Sequence, residues 1–376
     1  MKILSPFHKL FLPLLVGLSF VACQPAEEKT ATPPATTGPK VIAYYSGQPI
    51  NGEDYQIHAL DQIIHSFCHL KGNKLAVDNA EDTTAIEKLV ALKTTYPSLK
   101  ILLSLGGWGG CETCSDVFSS DAGRKEFAES VKELSLHFNT DGLDLDWEYP
   151  AISGYPNHVY KPEDKHNFTL LVKELRETMG ENFIISFAAG GFEKFLVESV
   201  EWDQVMPLVD NVNLMTYDLI NGNSPSTGHH TALFPNDRQI ESTDHAVKFL
   251  DSLGVPKSKM VIGAAFYARV WEKVSPENRG LYQPGTFKQS VRYNNLESFF
   301  QENAGFVTYW DSITHAPYAW NAEKQMFATF DDIRSIAEKT RYAADNQLGG
   351  IMFWQLSGDK NQGGLLETIH LTKSGN

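Results

Sequence analysis

The stretch Asp141-Gly142-Leu143-Asp144-Leu145-Asp146-Trp147-Glu148 alternates apolar side chains with carboxylates from position 143 onward. In an extended strand, alternate side chains share a face, so the last three carboxylates point one way and the apolar residues point the other. We expect the apolar side to pack against helices. The carboxylates of Asp144, Asp146 and Glu148 must then face the interior of a sheet that curves into a barrel.

Three inward-facing carboxylates without cations cost several kcal/mol unless protons or hydrogen bonds compensate. Like charges this close cannot all ionise, so at least one pKa must rise and one carboxyl keeps its proton near neutral pH. Glu148 ends the strand, where barrel enzymes hold their catalytic groups. The pattern therefore predicts that Glu148 is a general acid.

Two other interpretations of the acidic cluster stay open, a Ca²⁺ or Mg²⁺ site and a purely structural network. The strand spacing and the aromatic residues Trp147 and Tyr149 beside the carboxylates favour sugar chemistry. We expect no metal and no cofactor.

Outward from this strand, short apolar runs alternate with longer amphipathic segments. Strands covered by helices are hydrophobic at nearly every position, and eight of them interleaved with helices predict an α/β fold, the (β/α)8 TIM barrel. The predicted strands are residues 41–45, 63–70, 100–105, 142–147, 183–189, 211–216, 260–266 and 350–354. Predicted helices include residues 84–95, 124–138, 163–179, 243–253 and 331–346, with Asp331 or Asp332 capping the last.

More than sixty residues separate the seventh strand from residue 331, and they are rich in Tyr, Phe, Trp and Asn. That is too long for a bare loop. We predict a small α+β insertion at about residues 272–330, on the catalytic side of the barrel.

The N-terminus has the pattern of a targeting segment. Met1, Lys2 and Lys9 supply positive charge, and residues 10–22 are apolar but too few to span a bilayer about 30 Å thick. The segment ends Phe20-Val21-Ala22-Cys23, which resembles a bacterial lipoprotein cleavage site. We predict a signal peptide at residues 1–22 and a lipid on Cys23, with an ordinary signal peptide cleaved nearby as the alternative.

Residues 23–39 are rich in Pro, Thr and Ala, without apolar periodicity, so they are predicted to form a flexible tether. The catalytic domain would then occupy residues 40–376. Membrane contact is expected only through the lipid, which places the protein at the cell membrane or surface, or secreted if no lipid is attached. A monomer is expected.

Composition limits the possible partners. A chain of 376 residues that is 42% hydrophobic can bury a large core, either as two ordinary domains or as one barrel with an insertion. The net charge of −14 repels polyanions, and the sequence has no basic stripe, so nucleic acid is excluded as a partner.

The remaining cysteines fit an exported protein. Cys111 and Cys114 are predicted to form a small disulfide, because export exposes them to oxidising conditions and no second ligand pair suggests zinc. Cys68 lies in an apolar run and is predicted to be a buried thiol.

Five segments, in order, resemble glycoside hydrolase family 18, the chitinases. The acidic strand matches the signature D-G-x-D-x-D-x-E of that family. The similarity covers about residues 40 to 360, and the other matching segments are Ser104-Leu105-Gly106-Gly107-Trp108, Met215-Thr216-Tyr217-Asp218, Ala265-Phe266-Tyr267-Ala268-Arg269 and Gly349-Gly350-Ile351-Met352-Phe353-Trp354.

The resemblance implies retaining, substrate-assisted hydrolysis of β-1,4-linked N-acetylglucosamine polymers such as chitin. Glu148 would protonate the leaving oxygen while the 2-acetamido oxygen of the substrate attacks C1 to form an oxazolinium ion. Asp146 would orient the acetamido N–H, with Asp144 behind it to share a proton. Tyr217 would donate a hydrogen bond to the acetamido carbonyl.

Aromatic rings stack well against the apolar faces of sugars. The resemblance places Trp354 under the sugar at the cleavage point and Trp108 on the leaving-group side. Asp218 and Arg269 would bind polar groups of the substrate, although a structural Asp–Arg pair would give the same sequence. Further candidates for the cleft, each equally able to be core, are Tyr44, Phe67, Gly107, Tyr149, Met215, Tyr267 and Trp271.

Some flanking residues have two interpretations. Asp141 either supports the strand through hydrogen bonds or is a turn carboxylate, and Ser104 either hydrogen-bonds Asp144 or is a plain core residue. The pair His229-His230 is predicted to lie on a loop surface, without metal.

The chain departs from the family pattern at three places, which affects the subsite profile rather than catalysis. No Trp follows Asp218 closely, Ala268 replaces a Gly, and Gln355 stands where Glu is common.

Two other functions remain as alternatives to a chitinase. An endo-β-N-acetylglucosaminidase acting on N-glycans shares the acidic signature, but the long insertion favours a groove for a linear polymer. A chitin-binding lectin without activity typically loses the acid, whereas Glu148, Asp146 and Tyr217 are all present here.

Overall fold

Eight parallel strands close into a barrel in the computed structural model, which describes residues 38–375. The strands of this part of the chain are β1 (Lys40–Tyr45), β2 (Gln62–Lys71), β3 (Lys74–Ala76), β4 (Lys100–Gly106), β5 (Gly142–Asp146), β6 (Ile184–Gly190), β7 (Asn211–Met215), β8 (Met260–Ala265), β9 (Tyr267–Glu272), β10 (Thr286–Arg292), β11 (Phe306–Asp311), β12 (Ala316–Asn321), β13 (Met326–Thr329) and β14 (Gly350–Trp354).

The barrel order is β1-β14-β8-β7-β6-β5-β4-β2, and pairing of β1 with β2 closes it, while β3 pairs with the end of β2. The predicted TIM barrel is confirmed, because all eight predicted strands are these barrel strands. The α-helices of the described residues are α1 (Ala80–Ala91), α2 (Cys114–Phe118), α3 (Asp121–Phe138), α4 (Asp164–Met179), α5 (Glu193–Glu198), α6 (Trp202–Val205), α7 (Thr243–Ser252), α8 (Tyr293–Glu302), α9 (Ile333–Asp345) and α10 (Leu365–Lys373).

The alternation in β5 sorts its side chains as the period of a strand requires. Leu143, Leu145 and Trp147 are buried in the large core between strands and helices. The indole of Trp147 packs against Phe118 of α2 and Phe168 of α4, at ring-centroid distances of 5.5 and 6.4 Å. The carboxylates between these residues therefore face the barrel interior, as predicted.

Carboxylates also fix the amino-terminal edge of the barrel. Each of three Asp residues stands just before a strand and accepts the backbone N–H of a neighbouring strand at 2.8–2.9 Å, in the pairs Val41–Asp61, Ile101–Asp141 and Ile185–Asp210. Asp141 also accepts from Lys93 Nζ at 2.8 Å. Asp141 thus supports the strands through hydrogen bonds, at the end of the barrel opposite to Glu148.

Helix α9 begins with reciprocal capping. The Asp332 carboxylate accepts the backbone N–H of Ser335 at 2.8 Å, and the Ser335 hydroxyl accepts the backbone N–H of Asp332 at 3.0 Å. Of the two residues predicted to cap this helix, Asp332 is the N-cap, which leaves Asp331 free for other contacts.

The residues between β8 and α9 form a second, antiparallel sheet in the order β10-β9-β13-β12-β11. Its first strand starts one residue after Phe266, so β9 carries both Tyr267 and Arg269. One side of the sheet packs against α8 through a core that includes Val270, Leu296 and Phe299. The sheet thus delivers side chains directly to the carboxyl edge of the barrel.

The predicted signal peptide, Cys23 and all but the last two residues of the predicted tether lie outside the described residues. Within residues 38–375, no helix has both the length and the apolar character needed to cross a bilayer. Cys111 and Cys114 form the predicted disulfide, and Cys68 is a buried thiol whose pKa burial raises to about 12.

Candidate active site

The three carboxylates of the acidic strand lie at increasing height in the barrel. Asp144 is fully buried, Asp146 is buried one step higher, and Glu148 is half-buried just beyond the end of β5. In the described residues, no Lys, Arg or His side chain forms an ion pair with any of them. Their charge must therefore be balanced by hydrogen bonds or by protons.

Hydrogen bonds balance the deepest carboxylate. The donors to Asp144 come from four other strands of the barrel, and they are Tyr44 Oη (3.0 Å), Ser104 Oγ (3.2 Å), Ser186 Oγ (2.6 Å) and Asn213 Nδ2 (3.1 Å). Burial raises the pKa of Asp144, and these donors partly oppose that shift. The predicted bond from Ser104 is confirmed, and Tyr44 lies against a catalytic candidate rather than in the core between helices.

Asp146 lacks such donors. Its Oδ1 atom is buried without a hydrogen-bond partner. Burial first, and then the neighbouring Glu148 and Asp144, raise the pKa of Asp146 well above its ordinary value. A buried carboxyl oxygen without a partner inside a cleft is available to a ligand.

Glu148 is the most accessible of the three. Burial raises its pKa to about 7, a hydrogen bond with Tyr149 lowers it, and the charge of Asp218 raises it further. A carboxyl with this pKa exists in both protonation states near neutral pH, which is what general acid and base catalysis requires.

Tyr217 follows β7 and reaches the same space. Its side chain is buried, and its hydroxyl lies 3.8 Å from the sulfur of Met352. Burial, and then the charges of Asp146 and Glu148, raise the pKa of Tyr217 well above its ordinary value. The phenol therefore stays protonated and can donate a hydrogen bond toward the carboxylates or a ligand between them.

Aromatic rings line the centre of the carboxyl edge. Phe67 stacks on the half-buried Trp354 at 5.6 Å with nearly parallel rings, and Tyr44 lies 6.0 Å from Trp354. Gly107 has a positive φ of 79°, and a Cβ atom there would lie 2.3 Å from the Phe67 ring. Glycine at position 107 therefore makes room for Phe67, which in turn supports Trp354.

The remaining candidates surround this centre. Trp108 is 54% exposed and lies 6.4 Å from the ring of Tyr149. Met215 is half-buried at the end of β7 and packs in the interior cluster of the barrel. Trp271 is fully buried in the core of the second sheet, so of its two interpretations the structural one holds.

Asp218 and Arg269 form a two-pronged ion pair, with Nε to Oδ1 at 2.7 Å and Nη2 to Oδ2 at 2.5 Å. Burial alone would raise the pKa of Asp218, but the nearby His230 ring and the two hydrogen bonds from Arg269 hold it well below its ordinary value. The guanidinium also lies 5.4 Å from the Tyr267 ring, which is 6.2 Å from the ring of Tyr217. The pair thus anchors the second sheet beside Tyr217.

The prediction that His229 and His230 lie on a loop surface is wrong, because both are fully buried. His230 Nδ1 is 3.5 Å from Asp218 Oδ1, and His229 Nε2 is 3.1 Å from Asp311 Oδ2. The second sheet covers this segment. Within residues 38–375, no group of three His, Cys or acidic side chains is placed to hold a metal ion.

The sequence analysis missed two residues of the site, Ser186 and Asn213. Both bond the Oδ1 atom of Asp144. A signal for one of them was present, because Asn211 and Asn213 place two amides at strand period within an otherwise apolar run. A single serine in β6 offers no comparable signal.

Comparisons with known proteins find similarity over most of the chain. A sequence model of the glycosyl hydrolases family 18 matches residues 40–359. Chitinase A1 of Niallia circulans is 33% identical over 302 residues, which are 74% of this chain and 43% of that protein, so the chain spans less than half of that relative.

Two solved structures resemble the chain over most of its length. Chitinase ChiA74 from Bacillus thuringiensis has a TM-score of 0.83 at 26% identity, covering 90% of this chain and 70% of that one. A family 18 N-acetylglucosaminidase from Paenibacillus barengoltzii has a TM-score of 0.79 at 33% identity, covering 89% of this chain and 100% of that one.

Proposed function

Because the chain belongs to family 18 of the glycosyl hydrolases, we propose that it is a chitinase, a retaining hydrolase that cleaves β-1,4-linked N-acetylglucosamine chains. The observation that carries the proposal is the position of Glu148 at the open end of the barrel, with its pKa raised to about 7. A carboxyl in that state can protonate a glycosidic oxygen and later take a proton from water.

The first step breaks the glycosidic bond. Glu148 gives its proton to the leaving oxygen while the 2-acetamido oxygen of the same sugar attacks C1. The C1–O bond breaks, and the sugar becomes a cyclic oxazolinium ion. No enzyme carboxylate attacks C1, because family 18 is an exception to the rule that two carboxylates carry out glycoside hydrolysis.

Asp146 stabilises this cation. Its unpartnered Oδ1 accepts the acetamido N–H, and its negative charge offsets the positive charge of the ring. Burial of Asp146 makes its ionised form costly, and the oxazolinium cation that forms beside it as the C1–O bond breaks relieves this cost. Tyr217 donates its hydroxyl proton in a hydrogen bond to the acetamido oxygen.

Asp144 supports Asp146 from below. Its four neutral donors stabilise a negative charge on Asp144 without supplying a permanent cation. A proton shared between the two carboxyls can therefore move between Asp144 and Asp146 as the reaction proceeds. Water then attacks C1, Glu148 takes its proton, and the configuration at C1 is retained.

Substrate binding relies on the aromatic rings and on the second sheet. The Trp354 ring, supported by Phe67, stacks against the sugar at the cleavage point. We infer that the second sheet is an insertion domain after the seventh barrel strand and forms one wall of the cleft, because β9 carries Tyr267 and Arg269 to the barrel edge. Such a wall suits a linear polymer.

A second candidate is an N-acetylglucosaminidase that releases single sugars. It is favoured by the solved family 18 N-acetylglucosaminidase, which this chain matches at 33% identity over 89% of its own length and 100% of that chain. The two functions differ in their products. Chitinase action on a hexasaccharide gives fragments of two to four sugars, whereas the alternative gives monosaccharide from the start.

The test is hydrolysis of matched substrates by the purified protein. We expect cleavage of N-acetylglucosamine hexamer into short oligomers and no release of glycan from an N-glycopeptide. Cleavage of the fully deacetylated hexamer should be at least about a hundredfold slower, because the attacking acetamido group is then missing. Equal rates on the acetylated and deacetylated hexamers would refute the substrate-assisted mechanism. A chelator is expected to leave the rate unchanged.

For the N-terminus we propose export, with a lipid on Cys23 and residues 23–39 as the tether. The support is the apolar stretch of residues 10–22 followed by Ala22-Cys23. Cys23→Ala is expected to move the protein from the membrane fraction to the soluble fraction. An unchanged distribution would refute the lipid anchor.

A further inference from the structure

The strongly exposed aromatic side chains of residues 38–375 are confined to two neighbouring loops. They are Trp108 (54% exposed), which follows β4, and Tyr155 (40%) and Tyr160 (48%), which follow β5. The other strongly exposed large apolar residues in this part of the chain are aliphatic, and apart from Val159, which precedes Tyr160, they are scattered. Clustered aromatic rings left in water at the rim of a cleft indicate a binding surface.

Tyr155 continues the row of rings that begins at the barrel centre. Phe67 stacks on Trp354, Gly107 gives Phe67 its space, and Trp108 is the next residue. The ring of Tyr155 then lies 5.6 Å from that of Trp108. In the strand order of the barrel, these rings follow the carboxyl edge from the end of β14 past β2 and β4 to the loop after the acidic strand.

The loop that carries Tyr155 is anchored to the acid itself. A Cβ atom on Gly154 would lie 2.1 Å from the carbonyl oxygen of Glu148, so the backbone at Gly154 packs directly on Glu148. The Tyr155 ring also covers Gly109, where a Cβ atom would lie 3.1 Å from the ring. The position of the Tyr155 ring relative to Glu148 and to the Trp108 loop is thus fixed by close backbone packing.

The far end of the loop is fixed as well. The buried carboxylate of Asp164 accepts the backbone N–H of Lys161 at 2.7 Å and the hydroxyl of Ser115 at 2.9 Å. Lys161 Nζ lies 2.6 Å from Asp116. Since Ser115 and Asp116 follow the Cys111–Cys114 disulfide, the loops that carry Trp108 and Tyr155 are joined into one platform. A platform held in place before binding loses little entropy when a ligand arrives.

We propose that Tyr155 extends the sugar-binding cleft beyond Trp108 and binds a distal N-acetylglucosamine unit of the polymer, so that it determines the chain-length preference. This inference rests on the proposed function and adds a binding residue to it. The ligand is a β-linked sugar chain, because an exposed ring beside a second ring offers an apolar face with a hydroxyl at its edge, which matches a pyranose.

The experiment compares kcat/KM for N-acetylglucosamine hexamer with that for trimer. In Tyr155→Ala, the hexamer-to-trimer ratio is expected to fall about fivefold to tenfold, because a lost ring contact of about 1 kcal/mol affects only substrates long enough to reach it. Tyr155→Gln, which keeps a long side chain over Gly109 without an aromatic face, is expected to show the same fall.

Two matched variants control the measurement. Tyr155→Phe keeps the ring and should keep the wild-type ratio. Leu371→Ala removes an exposed apolar side chain (44% exposed) on α10, away from the platform, and should also keep it. A fall with Leu371→Ala as large as with Tyr155→Ala would overturn the assignment.

The outcomes separate this inference from the proposed function. An active wild type whose ratio is unchanged in Tyr155→Ala and Tyr155→Gln refutes the distal platform alone. A wild type that cleaves neither oligomer refutes the proposed function itself. A direct second measurement uses Glu148→Gln, where Kd for the hexamer should weaken about fivefold to tenfold on adding Tyr155→Ala, and an unchanged Kd would also refute the platform.

Discussion

Two groups of buried carboxylates in the barrel are stabilised in opposite ways. Asp146 and Glu148 have no cation beside them among the described residues, and burial raises the pKa of both. Asp331, which is as deeply buried as Asp146, lies 2.7 Å from the ammonium group of Lys339, itself fully buried. The first pair is suited to hold and release protons, and the second to hold a fixed charge.

The paired carboxylate joins two strand ends. Asp331 Oδ2 accepts the backbone N–H of Ala265 at 3.0 Å and the hydroxyl of Thr231 at 3.2 Å. The Thr231 hydroxyl also lies 3.1 Å from the carbonyl oxygen of Thr216, the residue before Tyr217. A buried carboxylate beside a permanent cation, such as Asp331, thus stabilises the barrel, whereas a buried carboxyl without one, such as Asp146, remains able to react.

The largest effect that tests this comparison is expected from Glu148→Gln. The amide has nearly the same shape but no proton to give, so kcat/KM on the acetylated hexamer should fall by about a thousandfold. Steady-state kinetics measures it. The free energy of unfolding should not fall, since the amide removes a buried ionisable group, and ordinary activity in the variant would rule out Glu148 as the acid.

The next largest effect is expected from Lys339→Met. Removing the ammonium leaves Asp331 buried without its cation, and the free energy of unfolding should fall by about 3 kcal/mol at pH 7. Urea unfolding followed by fluorescence measures the loss. Burial lowers the pKa of Lys339 against the effect of Asp331, so the pair is held together against a cost of desolvation.

The control for this variant is the double variant Lys339→Met with Asp331→Asn. It removes both charges and is expected to recover at least half of the lost stability, because no unpaired charge remains buried. If the double variant is as unstable as the sum of the two single variants, the side chains do not act as a pair. Because Glu148 and Lys339 share no contact, adding Glu148→Gln to Lys339→Met should not deepen the loss of unfolding free energy that Lys339→Met causes.

The carboxylates of the acidic strand could be predicted from sequence better than the pair of Asp331 and Lys339, because the pattern that reveals them is local. Alternation within eight residues sets the directions of Asp144, Asp146 and Glu148, whatever the rest of the chain does. The donors to Asp144 could not be predicted as a group from a local pattern. Ser186 and Asn213 lie 42 and 69 positions away in sequence, and only closure of the barrel brings them together.

The wrong prediction for His229 and His230 has the same origin. Their neighbours Ser224, Ser226 and Gly228 give the composition of a surface loop. Yet His230 bonds Thr329 through its backbone, and that contact spans 99 positions. Burial here depends on the second sheet, whose position no local pattern encodes.

The pH dependence of catalysis should follow the protonation of Glu148, which has no cation beside it. Burial raises the pKa of Glu148 from 4.5 to about 7, so the carboxyl is protonated and competent as an acid below about pH 7. The value of kcat/KM should therefore fall about tenfold per pH unit above that pH. Titration of rate against pH measures this limb. A limb near pH 4.5 would mean that Glu148 behaves as an ordinary solvated carboxyl.

The smallest expected effects concern the neutral donors that replace a cation at Asp144. Ser186→Ala removes the shortest hydrogen bond, at 2.6 Å, and should cost about 1–2 kcal/mol of unfolding free energy at pH 7. Ser104→Ala, which removes the bond of 3.2 Å, is the matched variant and should cost less.

Because each loss leaves a charged Asp144 with fewer donors, the deficits in unfolding free energy should both shrink as the pH falls and the carboxyl takes up a proton. Equal deficits at pH 7 and pH 4, measured by urea unfolding, would show that Asp144 is already neutral in the native protein.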